Sequence, residues 1–149
     1  MDETLAAIAA SRAIRSGGVT YQVDTFNLAA LQAAGAVTNA EFTGAALPAN
    51  ARVMAMEMLL NNTFTGAGLT HAWAYVAMDG VGARLVVPTS GNDLAAPGAL
   101  FAQDLGTPNA YVTQGGNHPL VEVNLTGGTT FAGLTNGSVT IRTFYAVIP

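Results

Sequence analysis

Leu120-Val121-Glu122-Val123-Asn124-Leu125-Thr126 alternates apolar and polar residues. Val121, Val123 and Leu125 fall on one side of an extended chain, and Glu122, Asn124 and Thr126 on the other. Successive side chains of a β-strand point to opposite faces, so a period of two marks a strand with one face in a core. The triplet of valines and leucine is expected to point inward, and the polar triplet outward.

The same texture extends in both directions. Downstream, a loop with Gly127-Gly128 and Asn136-Gly137 precedes a last strand from Ser138 to Ile148. That strand sets Val139, Ile141, Thr143, Tyr145 and Val147 on one side. Upstream, residues 88–119 hold Pro88, Gly91, Pro97, Gly98, Gly106, Pro108, Gly115, Gly116 and Pro119. Turn residues at that density mean loops joining short elements, with brief strands expected at Ala99–Ala102 and Tyr111–Thr113. Asp79-Gly80 marks a turn between two further strands, Leu69–Met78 and Val81–Val87. In the first of these, Leu69, His71, Trp73 and Tyr75 share one face and Thr70, Ala72, Ala74, Val76 and Met78 the other.

Arg52 to Leu60 (RVMAMEMLL) is ambiguous, because methionine, alanine, leucine and glutamate are good helix formers. The run is short for a helix and stops at Asn61-Asn62-Thr63. As a strand it puts Met54, Met56, Met58 and Leu60 on one face, with Val53, Ala55, Glu57 and Leu59 on the other. Val19–Phe26 alternates and is rich in β-formers. Residues 28–46 are alanine-rich, with a short helix expected near 28–34 and a connection after it. Seven or more short strands separated by Gly/Pro/Asn turns predict a mainly β protein. The expected fold is an antiparallel β-sandwich, jelly-roll or Ig-like, of about 7–9 strands.

Residues 2–16 read differently. Asp2 and Glu3 open the segment, Arg12 and Arg15 close it, and Gly17-Gly18 follow. That order suits a helix macrodipole and its C-cap, and Leu5 and Ile8 give a thin apolar stripe. The expected organisation is a short N-terminal helix or arm over residues 1–17 and a sandwich domain over 18–149. The segment either packs on its own domain or docks on a neighbour.

Composition limits the function. Only 9% of the 149 residues are charged, with five arginines, nine acids and no lysine. Ordinary soluble proteins carry about 25%. Half of the chain is hydrophobic and mean hydropathy is +0.37, so much of the surface is expected to be covered by other protein. The net charge is −4 and the isoelectric point about 4.8. Scattered arginines make no phosphate-binding patch, so nucleic acid is not an expected partner. No stretch reaches the roughly 18 apolar residues of a membrane span, and the acidic start does not resemble a secretory leader. The expectation is a protein made and used without passing through a secretion channel, with no membrane partner.

Catalytic constellations are sparse. The absence of cysteine removes disulfides, thiolate metal sites and thiol nucleophiles. Zinc catalysis needs about three protein ligands, and only His71 and His118 are histidines. His71 is expected to pack beside Trp73, and His118 to be exposed in a loop. Glu57 and Glu122 are the acids inside expected strands; Glu122 is read as solvated, Glu57 as half-buried and paired with Arg52, Arg84 or Arg142. Asp79, Asp93 and Asp104 read as turn residues. No nucleophile elbow and no phosphate loop is present. Neither an enzymatic activity, a cofactor nor a metal is expected. Tyr21, Tyr75, Tyr111, Tyr145 and Trp73 are spread along the chain with no spacing that converges them.

LPANARVMAMEMLLNNTFTGAG (47–68) resembles the opening of a β-domain of tailed-phage virion proteins. The later pieces GNDLAAPGALFAQDLG, VEVNLTGG and GSVTIRTFYAVIP resemble the same group, so the similarity covers roughly residues 47–149. The resemblance implies a β-sandwich on a phage particle, as a capsid decoration (cement) protein, a head fibre or a tail module. It carries no catalytic residues. The expectation drawn from it is a decoration subunit on the capsid surface, forming a homotrimer and bound to the major capsid protein. Leu5, Ile8, Arg12 and Arg15 are the expected docking residues, and removing residues 1–16 is expected to abolish shell binding while leaving the domain folded. A tail or head-fibre module that binds a receptor or carbohydrate is the alternative, with exposed aromatics expected in the 88–119 loops.

Overall fold

The computed structural model describes residues 11–16, 19–79, 93–95, 100–104, 111–112 and 117–147. Nine strands lie among them: β1 (Ser11–Ser16), β2 (Val19–Phe26), β3 (Asn39–Thr43), β4 (Ala51–Gly66), β5 (His71–Met78), β6 (Leu100–Asp104), β7 (Tyr111–Val112), β8 (Pro119–Thr126) and β9 (Leu134–Val147). One helix, α1 (Leu28–Gln32), follows β2. Asn27 caps it by accepting from the Ala30 N–H, as a short amide side chain at an N-cap does.

All the strand pairs are antiparallel, in two sheets. The larger, sheet A, has the order β1-β2-β9-β4-β6, with β7 also on β4; the smaller, sheet B, has the order β3-β8-β5. From β2 to β5 the chain crosses from one sheet to the other at every step, and it crosses again at β8 and β9. Apart from β1 and β2, strands adjacent in each sheet are therefore distant in sequence. This wrapped double Greek key is the jelly-roll order, and it decides between the two sandwich types compatible with the sequence.

The sheets face each other across one apolar core. Val53, Met56, Met58 and Phe64 of β4 and Val139, Ile141 and Tyr145 of β9 come from sheet A; Ala72, Ala74, Val76 and Met78 of β5 and Val121, Val123 and Leu125 of β8 come from sheet B. Phe42 bridges Phe26 and Phe131, with ring centroids 5.9 and 5.3 Å away, and so sets β3 over β2. Each large side chain taken fully out of water contributes about 1.5–3 kcal/mol. The half-exposed Arg142–Glu57 pair on the surface, at 3.2 Å, contributes about 0–1 kcal/mol. Burial therefore holds the sandwich together.

A polar strip interrupts the inner face of sheet A at β2. Asp24 is 1% exposed, and its carboxylate accepts from Gln22 Nε2 and from the Ala45 N–H, both at 2.9 Å. Gly44 passes so close that a β-carbon there would strike that carboxylate. A bare backbone at residue 44 is thus a condition for burying Asp24. Thr143, opposite Gln22 in register, is fully buried, and its hydroxyl meets no partner among the described residues.

Three expectations need correction. Residues 11–16 form a strand paired with β2, not the end of a helix. Alanine propensity is a weak prior, and the ladder with β2 outweighs it. Removing residues 1–16 would therefore strip an edge strand from sheet A. Residues 39–43, expected as connection, form β3. In β4 the alternation breaks: Val53, Met56 and Met58 are all buried while Met54 is 37% exposed, because a register shift between Val53 and Ala55 turns Met54 outward. The strand expected over Val81–Val87 lies outside the described residues.

Candidate binding faces

With the inner faces buried in the core, two outer faces remain to meet a partner. That of sheet A is mostly apolar. Tyr21 on β2 packs on Phe144 of β9, with ring centroids 5.2 Å apart. Val23, Ala55, Leu59 and Ala146 share this face, all half-buried. Among the described side chains, its charges are Arg52 and the cross-strand pair Arg142–Glu57. Of the three arginines that sequence left open for Glu57, the structure selects Arg142.

The outer face of sheet B is a grid set by register. Asn39, Asn124 and Trp73 form one row across β3, β8 and β5; Glu41, Glu122 and Tyr75 form the next; Thr126 and His71 begin a third. The burial of Ala72, Ala74 and Val76 obliges Trp73 and Tyr75 to point outward. The His71 and Trp73 rings stack with centroids 5.3 Å apart and planes 26° from parallel. Asn39 Nδ2 reaches Glu122 Oε1 at 3.4 Å.

His71 is held from the other side by Asp93. Its Nδ1 lies 2.9 Å from Asp93 Oδ2, and since an ionised carboxylate only accepts, Nδ1 carries the proton. Asp93 Oδ1 accepts from the Ala72 and Ala95 N–H groups, each at 2.9 Å. Burial raises the Asp93 pKa, but the Ala72 N–H, the His71 side chain, the Ala95 N–H and the charge of His71 together hold it below the ordinary value. The Leu94 N–H bonds to the Ala72 carbonyl, and the Phe64 N–H to the Leu94 carbonyl. Residues 93–95 are thereby tied to both β5 and β4.

His118, expected to be exposed, is half-buried: its Nδ1 lies 2.7 Å from the Gly44 carbonyl, and its N–H donates to Asp79. Glu57 and Glu122 sit on the outer faces of different sheets with the core between them, so they do not form a catalytic pair. Of the expected docking residues, Arg12 and Arg15 stand on β1 opposite Val23 and Thr20, and Leu5 and Ile8 lie outside the described residues. Most of the 88–119 loops also lie outside them. The aromatic platform that sequence did not converge is on β5, and the Glu41 beside Glu122 on its border became visible only with β3. The alternation in Ala40-Glu41-Phe42-Thr43 was the available signal.

No helix among the described residues is long and apolar enough to cross a membrane, and no group of three or more metal-ligating side chains occurs among them. No family model matches the chain, and no curated protein matches it. Among solved structures, a chain of the cyanophage Pam1 capsid asymmetric unit is similar at 22% identity and a TM-score of 0.51, over 99% of this chain and 100% of that one. A likeness at that level of identity is a shared fold.

Proposed function

We propose that the protein is a structural subunit of a phage virion, a decoration (cement) protein that binds and reinforces the outer shell. The observation that carries this reading is the end-to-end match to a chain of a cyanophage capsid asymmetric unit. The jelly roll is a fold of viral capsid and lectin domains. The scarcity of charge, the absence of lysine and the apolar outer face of sheet A fit a surface covered by protein. The partners are the major capsid protein and two further copies of this chain in a homotrimer, with Leu5, Ile8, Arg12 and Arg15 among the docking residues. Reinforcement comes from area buried across capsomer boundaries, which has to be exposed again before the shell opens. The role is non-enzymatic.

One observation favours a second reading, a tail or head-fibre module that binds carbohydrate: the flat His71–Trp73 stack bordered by Asn39 and Asn124. Copy number per purified virion, measured by quantitative mass spectrometry against the major capsid protein, separates the two. Hundreds of copies in a simple ratio to the shell protein are expected. A handful would move the protein to the tail or a fibre, and absence would remove it from the virion.

A further inference from the structure

Asn136-Gly137 is the one place in the chain where glycine follows asparagine; every other asparagine precedes a residue with a side chain. Such a pair is the signal of a hairpin tip. Here it lies inside a strand, near the start of β9. The register shows how β9 accommodates it. Asn136 pairs with Thr65 and Ser138 with Asn62, so Gly137 alone faces Thr63 and Phe64 of β4. Two residues against one make a β-bulge, and Gly137 has no register partner.

The bulge requires glycine at residue 137. Its φ is +153°, outside the range that side chains favour. A β-carbon there would lie 3.2 Å from both Leu31 and Phe64. The bulge also turns the Gly137 N–H onto the side chain before it, where it donates to Asn136 Oδ1 at 2.9 Å. Asn136 itself is exposed. A main-chain nitrogen thus rests against the side-chain amide of the preceding residue, at a place open to water.

That contact has a chemical consequence. Holding two reacting groups together removes much of the entropic part of the barrier between them, and no β-carbon on residue 137 shields the nitrogen. The other asparagines whose bonds are known are engaged elsewhere. Asn27 caps α1, Asn39 reaches Glu122, Asn61 accepts from Thr140, and Asn117 donates to the Asp79 carbonyl. Each of those amides is held by a group other than the nitrogen that would attack it.

We propose that Asn136 is a site of spontaneous deamidation through a cyclic imide. The Gly137 nitrogen gives its proton to hydroxide and attacks Asn136 Cγ. The N–Cγ bond forms, the Cγ–Nδ2 bond breaks, and Nδ2 leaves as ammonia with a proton taken from water. Water then opens the ring. Addition at Cγ leaves aspartate. Addition at the main-chain carbonyl carbon of residue 136 leaves isoaspartate, whose main chain runs through Cβ and Cγ. Nothing is oxidised or reduced, and water is the only co-reactant. Both products add a negative charge, and isoaspartate also inserts a methylene into the main chain between Thr135 and Gly137. The neighbours leave little room for it. Gly137 packs on Leu31 and Phe64, the Thr135 hydroxyl lies 2.9 Å from that of Thr65, and the Leu134 carbonyl accepts from Gln32 Nε2 at 2.9 Å. The extra atom loosens the start of β9 and the seat of α1 beside it. The inference concerns the chain alone and does not depend on the decoration role.

The test is storage of the purified full chain over a pH series above neutral, followed by peptide mass mapping and labelling with an isoaspartyl methyltransferase. Asn136 is expected to lose its amide before any other asparagine, at a rate that rises with hydroxide, and to yield both aspartate and isoaspartate. The stored wild type is expected to unfold at a lower temperature than fresh protein. Asn136→Gln, shown by circular dichroism to be folded, is expected to keep its melting temperature on storage and to take up no methyl label. A parallel sample unfolded in urea measures what the fold contributes. An Asn136 amide that persists in the folded chain while the unfolded chain loses it would mean that β9 protects the pair, and would overturn the inference. So would earlier loss at another asparagine, a rate independent of pH, or aspartate without isoaspartate. An isoaspartyl product with an unchanged melting temperature would overturn the loosening of β9.

Discussion

Asp93 does more for the fold than its place in a turn indicates. Its carboxylate gathers the Ala72 and Ala95 N–H groups and the His71 ring, so one side chain ties residues 93–95 to β5. Because these bonds favour the ionised form, its folded pKa lies below the ordinary value. The sign of the linkage follows. A depressed carboxylate contributes stability that is complete above the unfolded pKa and lost as pH falls through the folded one. Asp93→Asn is therefore expected to destabilise the protein by about 1–3 kcal/mol near neutral pH. The gap between variant and wild type should close as pH drops below about 4. Urea denaturation of both proteins across that range checks it, and a gap independent of pH would mean that the carboxylate charge is immaterial. The half-exposed His71 is held in its stack on Trp73 by the same carboxylate, so the residue that secures the segment also orients the aromatic platform.

At the scale of elements, β4 separates what alternation predicts from what pairing decides. A strict period of two gives Met54, Met56 and Met58 one shared fate. The bulge between Val53 and Ala55 breaks it, leaving Met54 outside and Met56 and Met58 fully buried. Met56→Ala is expected to cost about 2–5 kcal/mol, whereas Met54→Thr should stay within about 0.5 kcal/mol. Urea midpoints for the two variants check this, and equal losses would restore the unbroken strand. β8 and β9 were legible because burial alternates strictly over 121–126 and 141–146. The helix at 28–32 was legible from its alanines. β1 was not, because charge order and alanine content describe an isolated segment, and what makes it a strand is the ladder to β2. β3 was not, because five residues with a single buried Phe42 carry little periodicity. The outer face of sheet B depends on both the legible β5 and β8 and the illegible β3. Its aromatics and Glu122 were therefore seen without Glu41 beside them.

The whole molecule is a sandwich with two unlike outsides. Among the described side chains, one is mostly apolar and bears Arg52 and the Arg142–Glu57 pair; the other sets Glu41 and Glu122 beside Trp73 and Tyr75. A subunit that reinforces a shell has to bind the closed shell better than the opened one, since a ligand shifts an equilibrium only by its differential affinity. The stabilisation then follows mass action. At a free concentration of 100 times Kd, each occupied site adds about 2.7 kcal/mol to the closed state, and about 4.1 kcal/mol at 1,000 times Kd. On the proposed decoration role the sites repeat over the lattice, so modest gains per site would add up over the particle. Shells stripped of this protein are expected to open at a lower temperature than complete ones. Adding the purified protein back should raise the transition in proportion to the logarithm of its concentration once the sites are filled. Differential scanning calorimetry of emptied shells over a titration series reads both quantities. A transition that stays fixed while the protein demonstrably binds would mean equal affinity for closed and opened shells, and reinforcement would then not be its role.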